Sequence, residues 1–186
     1  MAQVPDILFD LELDDQDHSA DWLKRGAVSA AVTTALAIPG CAAYPLGSLR
    51  YIATASPAFV QRWFPKGVTT TGLNAAPNLV FNAKDGLQRQ WLTRRSAARA
   101  APPSHYLPST QAFVDAAIAG IGWGMNPEIL VRSAIRQGTL VPLVNDAALD
   151  VPLVWQVSRI LAPALKPLTA AVVKTARASL VQSPAS

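Results

Sequence analysis

The segment Leu107-Pro108-Ser109-Thr110-Gln111-Ala112-Phe113 closes a short apolar stretch and places two hydroxyl residues where a helix begins. Backbone N–H groups without intrahelical partners converge at such a point, and the helix dipole favours negative charge there. It therefore suits a carboxylate or phosphate, with the Ser109 and Thr110 hydroxyls as added donors. The same residues also fit ordinary N-capping, and both readings stand on sequence alone. Thr33-Thr34, at the end of a β-branched run, has two readings as well: strand-forming residues, or hydroxyls at the carboxyl edge of a sheet where ligands sit.

Other chemistry is excluded more readily. The chain has no G-x-S-x-G elbow, P-loop, G-x-G-x-x-G or H-E-x-x-H, so no enzymatic activity is expected. Cys41 is the only cysteine, which rules out an intramolecular disulfide and a cysteine-rich zinc site. His18 and His105 are far apart in sequence, and Asp14-Asp15-x-Asp17 lacks the glycine and distal glutamate of a calcium loop. No metal and no cofactor are expected.

With 186 residues, 51% hydrophobic and 15% charged, the chain can bury a substantial core as one domain or two small lobes. Seven of its twelve acidic residues precede Trp22, so the sixteen Lys and Arg that follow face only five acids. The loose cluster Arg89, Arg94, Arg95 and Arg99 lacks interleaved aromatics and reads as a solvated helix face. Pro39, Gly40, Pro45 and Gly47 break the longest uncharged run, residues 26–49, before it could span a bilayer. The N-terminus lacks a basic n-region, so a cytoplasmic protein is expected.

The elements that would position these groups alternate. Ile7-Leu8-Phe9-Asp10-Leu11-Glu12-Leu13 has strand periodicity, residues 20–25 form a short helix after cap candidates Asp17 and Ser19, and residues 27–34 suit a strand buried on both faces. Residues 49–54 form a strand, followed by a helix opened by Ser56-Pro57. Strands at 77–81, 105–107 and 121–125 alternate with helices at 86–95, 111–119 and 127–138. Proline-bearing strands at 140–144 and 151–157 suit edge or crossover positions, and a long helix covers 159–181 with Pro163 and Pro167 near its start. This rhythm predicts an α/β fold with mostly parallel sheets.

Asp10-Leu-Glu-Leu-Asp-Asp-Gln-Asp-His18, Ala30-Ala-Val-Thr-Thr34, Leu46-Gly-Ser-Leu-Arg-Tyr51, Ala55-Ser-Pro-Ala-Phe59 and Trp63-Phe-Pro-Lys-Gly-Val68 follow one another along the chain. So do Leu79-Val-Phe81, Lys84-Asp85-x-Leu87-Gln88, Ser109-Thr-x-Ala-Phe113, Gly122-Trp-Gly-Met125 and Val151-Pro-Leu-x-Trp155. Together they resemble the effector-binding region of LysR-type transcriptional regulators, specifically the ArgP/LysG branch, also described as chromosome replication initiation inhibitors.

The resemblance implies two lobes of the periplasmic-binding-protein type II fold with a small effector in the cleft. It divides the chain into lobe I (1–48), a crossover strand (49–55), lobe II (56–150), a return crossover (151–157), and the lobe I C-terminal helix and tail (158–186). Relative to the family, the first strand and helix of lobe I and a helix-turn-helix would precede Met1, so DNA binding is expected only of a full-length form. Regulators of this branch respond to lysine, arginine or related basic amino acids. A free amino acid requires donors for its carboxylate and acceptors for its ammonium groups, because burying either charge unpaired is costly. By resemblance, Ser109 and Thr110 fit the carboxylate, Thr33 and Thr34 approach from the opposite lobe, and Asp85 pairs an ammonium group. The resemblance also makes Trp123 and Met125 candidate cleft-lining residues, although apolar residues in such a domain are more often core. The family often carries acids where Asn82 and Gly86 stand. A homo-oligomer, or a hetero-oligomer with a full-length regulator, is expected, with no membrane partner. The alternative is a standalone solute-binding or dimerisation module.

Overall fold

Prolines or capping side chains set several helix starts in the computed structural model, which describes residues 7–12, 19–95 and 100–182. In chain order these form α1 (Ser19–Lys24), β1 (Ala30–Thr33), β2 (Cys41–Ala55), α2 (Pro57–Trp63), α3 (Thr70–Ala75), β3 (Asn78–Val80) and α4 (Leu87–Arg94). There follow β4 (Ser104–Tyr106), α5 (Thr110–Ile118), β5 (Gly124–Pro127), α6 (Glu128–Arg136), β6 (Val141–Pro142), β7 (Leu149–Ser158) and α7 (Lys166–Ser179). The start of α2 shows how local the control is: Pro57 fixes the first helical φ, and Ser56 Oγ accepts from Phe59 N at 3.3 Å. The chain divides into two compact units, Met1–Leu49 with Asp150–Ser186, and Arg50–Leu149.

In the first unit, β1 runs antiparallel to β7 in the register Ala30↔Val157 to Thr33↔Val154. Leu46, Trp155, Val157 and Ala176 form its main core, against which Leu168, Val172 and Val173 of α7 pack. Ala20 and Leu23 of α1 pack with Ile38 in a second cluster. Trp155 Nε1 donates to Thr169 Oγ1 at 3.1 Å, tying β7 to α7. Trp155→Phe removes this donor and strands a buried hydroxyl beside a small void. We expect it to lower unfolding free energy by about 1–3 kcal/mol in a urea melt, and an unchanged midpoint would contradict the tie.

In the second unit, β5 lies antiparallel to the end of β2 from Tyr51↔Pro127 to Thr54↔Gly124, and β6 joins β2 at Thr54 and Ala55. β3 and β4 are parallel, with Leu79 opposite His105. The core gathers Leu79, Phe113, Val114, Ala117, Val131 and Leu140 from β3, α5, α6 and the segment before β6.

Several expectations need correction. Residues 7–12 form no strand, and Leu8 is 97% exposed; alternation predicts a strand only where a neighbour takes up its backbone groups and one face is covered. Leu13 and Asp17 lie outside the described residues. β1 is shorter than residues 27–34 and is not buried on both faces, since Val32 is 43% exposed; small and β-branched residues suit a half-open strand as well as a covered one. Mostly parallel pairing does not describe β1/β7, β2/β5 or β2/β6, all antiparallel. Alternation reveals an intervening helix but not which distant strand becomes the neighbour, and β1 pairs with a strand from the far end of the chain. β2 begins at Cys41, well before residue 49, and carries Pro45 and Gly47 within it. The glycine-rich strand lies at Gly124–Pro127 instead of residues 121–125, because Trp123 makes only a single bridge, to Asn78. The terminal helix starts at Lys166, with Pro167 in its first turn and residues 159–165 in turns.

Candidate functional site

Thr33 ends β1 and is completely buried; its Oγ1 accepts from Ala35 N at 3.2 Å. Thr34 follows, half-buried, at the start of an irregular segment that reaches Pro39. From β7, the completely buried Gln156 meets this segment: its Oε1 accepts from Ile38 N at 2.9 Å and its Nε2 donates to Ala35 O. The hydroxyl of Thr33 is thus part of the turn that follows it, and Thr34 is the half-buried first residue of that turn.

In the second unit, Ser109 is the N-cap of α5, with Oγ accepting from Ala112 N at 3.4 Å. Both Ser109 and Thr110 are exposed, so the start of α5 presents hydroxyls and helix N–H groups to solvent. Capping and donation are compatible there, because Ser109 caps through its oxygen and its hydroxyl proton can still be donated. Asp85 is half-buried: Oδ2 accepts from Phe81 N and Oδ1 from Leu87 N, each at 3.0 Å. Its carboxylate therefore closes the turn before α4 and keeps one lone-pair site per oxygen. Trp123 is completely buried against Trp91, their ring centroids 5.4 Å apart, and its indole N–H has no hydrogen-bond partner. Met125 is 3% exposed and opposes Ala53 in the β2/β5 register. Ser109 and Thr110 adjoin in sequence, Met125 lies in β5 and Trp123 just before it, and Asp85 sits in a separate turn.

Gln156 was missed from sequence. Its signal is visible in retrospect: one amide inside the apolar run Val151-Pro152-Leu153-Val154-Trp155-Gln156-Val157, where a polar side chain is tolerated only with partners. Among the described residues, no three His, Cys, Asp or Glu cluster to hold a metal ion, and no helix is long and apolar enough to cross a membrane.

Residues 1–177 match the family model described as the LysR substrate binding domain. The regulator LysG of Mycobacterium tuberculosis is 44% identical over 166 residues, which cover 88% of this chain and 54% of that protein. The chain thus spans about half the length of the curated relatives it matches. The C-terminal domains of a LysR family protein from Agrobacterium tumefaciens superpose with a TM-score of 0.88 at 48% identity, covering 91% of this chain and 83% of that one. Full-length LysG of Corynebacterium glutamicum with bound effector Arg has a TM-score of 0.85 at 31% identity, covering 97% and 62%. Matched relatives include both LysG and ArgP regulators, so the likeness carried by the ordered motifs holds. With the effector-domain architecture of these regulators and not that of an enzyme family, the chain belongs to the LysR substrate-binding domain family.

Proposed function

We propose that this chain is the effector-sensing region of a LysR-type transcriptional regulator that responds to a basic amino acid of the lysine/arginine type. The observation that carries the reading is the likeness, over nearly the whole chain, to a LysG structure holding arginine. The chemistry of the candidate groups supports it. An amino acid's carboxylate suits the N-terminus of α5, where the Ser109 and Thr110 hydroxyls add donors to the dipole. Thr34 offers a further hydroxyl in the first unit, with Thr33 acting through the turn. Asp85, with lone pairs left after its two backbone bonds, is the acceptor for an ammonium or guanidinium group. Trp123 and Met125, both buried, remain candidates for the apolar side of the site. In this reading the chain also self-associates or pairs with a full-length regulator, DNA contact belongs to a form that carries a helix-turn-helix, and the protein works in the cytoplasm.

Calorimetric titration and thermal melts with L-arginine, L-lysine and L-leucine test this. Arginine or lysine at about a hundred times its Kd is expected to stabilise the chain by about 2.7 kcal/mol, or roughly 5–10 °C, and leucine to do nothing. Ser109→Ala is expected to weaken binding about tenfold or more through the lost charge-assisted bond. Failure of both basic amino acids to bind the folded chain would overturn the reading.

A further inference from the structure

We infer that Gln156 is a positioning residue for the effector: its carboxamide clamps the turn after β1 from both sides and so fixes Thr34. The inference rests on the function proposed above. When β1 stops at Thr33, the chain runs through Thr34 to Pro39 without regular structure, and its buried backbone groups need partners from elsewhere. Two of them find the same side chain. Ala35 O takes the amide Nε2–H of Gln156, and Ile38 N donates to its Oε1 at 2.9 Å. The third bond of the device is internal, from Ala35 N to Thr33 Oγ1.

The residue type is dictated by this geometry. The flat carboxamide offers one donor and one acceptor at a fixed separation, and the turn presents one carbonyl and, three residues on, one N–H. Glutamate lacks the donor and would set an oxygen against Ala35 O. Methionine has neither group, and asparagine is one methylene shorter. An aliphatic residue would pack in β7 without desolvating an amide, so the amide has a use only because of the turn it holds. Register reinforces the clamp: Gln156 opposes Ala31, and Thr33 opposes Val154, so the strand that carries the clamp is also paired to the strand that ends at Thr33, one residue before Thr34. Leu36, within the clamped segment, is 77% exposed and supplies no core anchor, so the carboxamide acts together with the packing of Ile38 and Ala35 and the bond from Cys41 N to Ile38 O.

The test uses the whole chain, L-arginine and L-lysine as probes, and the variants Gln156→Glu and Gln156→Met. Ala176→Gly in α7 serves as a control that lowers stability away from the turn. Both Gln156 variants are expected to weaken binding by about tenfold to a hundredfold, as loss of an orienting partner does elsewhere. The control should retain wild-type affinity. Hydrogen exchange at Ile38 N–H should accelerate strongly in Gln156→Met and much less in Gln156→Glu, which keeps the acceptor. Binding within twofold of wild type in both variants would overturn positioning while leaving the proposed function intact. If the wild type binds neither amino acid, that function fails, and unchanged Ile38 protection in Gln156→Met would separately overturn the clamp. Should neither variant fold, the wild type decides: titration with the amino acid that binds must shift the Gln156 side-chain amide and Ile38 N–H signals, and stationary signals would overturn the inference.

Discussion

Gly47→Ala is expected to lower unfolding free energy by about 3–4 kcal/mol and the melting temperature by roughly 10 °C. Gly47 lies inside β2 with φ +108°, a conformation L side chains rarely adopt. A methyl there would stand 2.5 Å from Gln182 Nε2 and 2.7 Å from Val181 O. The side chain of Gln182 could swing aside, at the cost of its 3.1 Å bond to Leu46 O. Val181 cannot, because it exchanges backbone bonds of 2.8 and 3.0 Å with Ser48. Gly138→Ala is the control: its φ is +74° but nothing lies within 4 Å of the added methyl, so only the backbone strain of about 1–2 kcal/mol remains. Differential scanning calorimetry on both variants separates the effects, and equal losses would show that the Val181 contact contributes nothing.

Leu79→Ala is expected to cost about 4–5 kcal/mol, at the upper end for such truncations. Leu79 is completely buried at the centre of the second unit's core, among Phe113, Val114, Ala117 and Val131. Its backbone is fixed on both sides, with N–H to Trp123 O at 2.7 Å and C=O from Gln88 Nε2 at 2.7 Å, so β3 cannot settle into the hole. Two of its close neighbours, Gly122 and Gly124, have no side chain with which to fill it. Poor relaxation leaves a larger cavity and a larger penalty. A urea titration followed by tryptophan fluorescence measures the loss, and a value under about 2 kcal/mol would mean the core collapses more freely than this geometry allows.

Where one local signal settles an element, the sequence was legible. Ser56-Pro57 opens α2, Ser109 caps α5, and Gly26 with φ +67° stands just beyond α1. The ordered motifs carried the family. Local signals misled wherever a distant partner decides. Pro45 and Gly47 read as breakers, yet β2 runs through both, because the Ser48–Val181 pair reaches across most of the chain to hold it. α3 went unnoticed because its six residues, Thr70–Ala75, include Gly72 and too few apolar positions to show a period. Its Thr69 cap, with Oγ1 accepting from Gly72 N at 3.1 Å, is as regular as the others. At the candidate site, residue types marked Ser109 and Thr110, but not that Asp85 is bound by two backbone N–H groups. Nor could spacing reveal Gln156, whose partners Ala35 and Ile38 lie more than a hundred residues earlier.

The discontinuous first unit sets an order of events on the ribosome. Residues 1–49 leave the exit tunnel long before residues 150–186, which complete their fold, and the whole of the second unit is made in between. At about 5–20 residues per second, that interval lasts on the order of 5–20 s. Throughout it β1 lacks β7, and Ala35 and Ile38 lack Gln156. The nascent N-terminal segment therefore waits with unpaired backbone and uncovered apolar residues, a natural client for a ribosome-associated chaperone. The second unit, continuous in sequence, can close before translation ends.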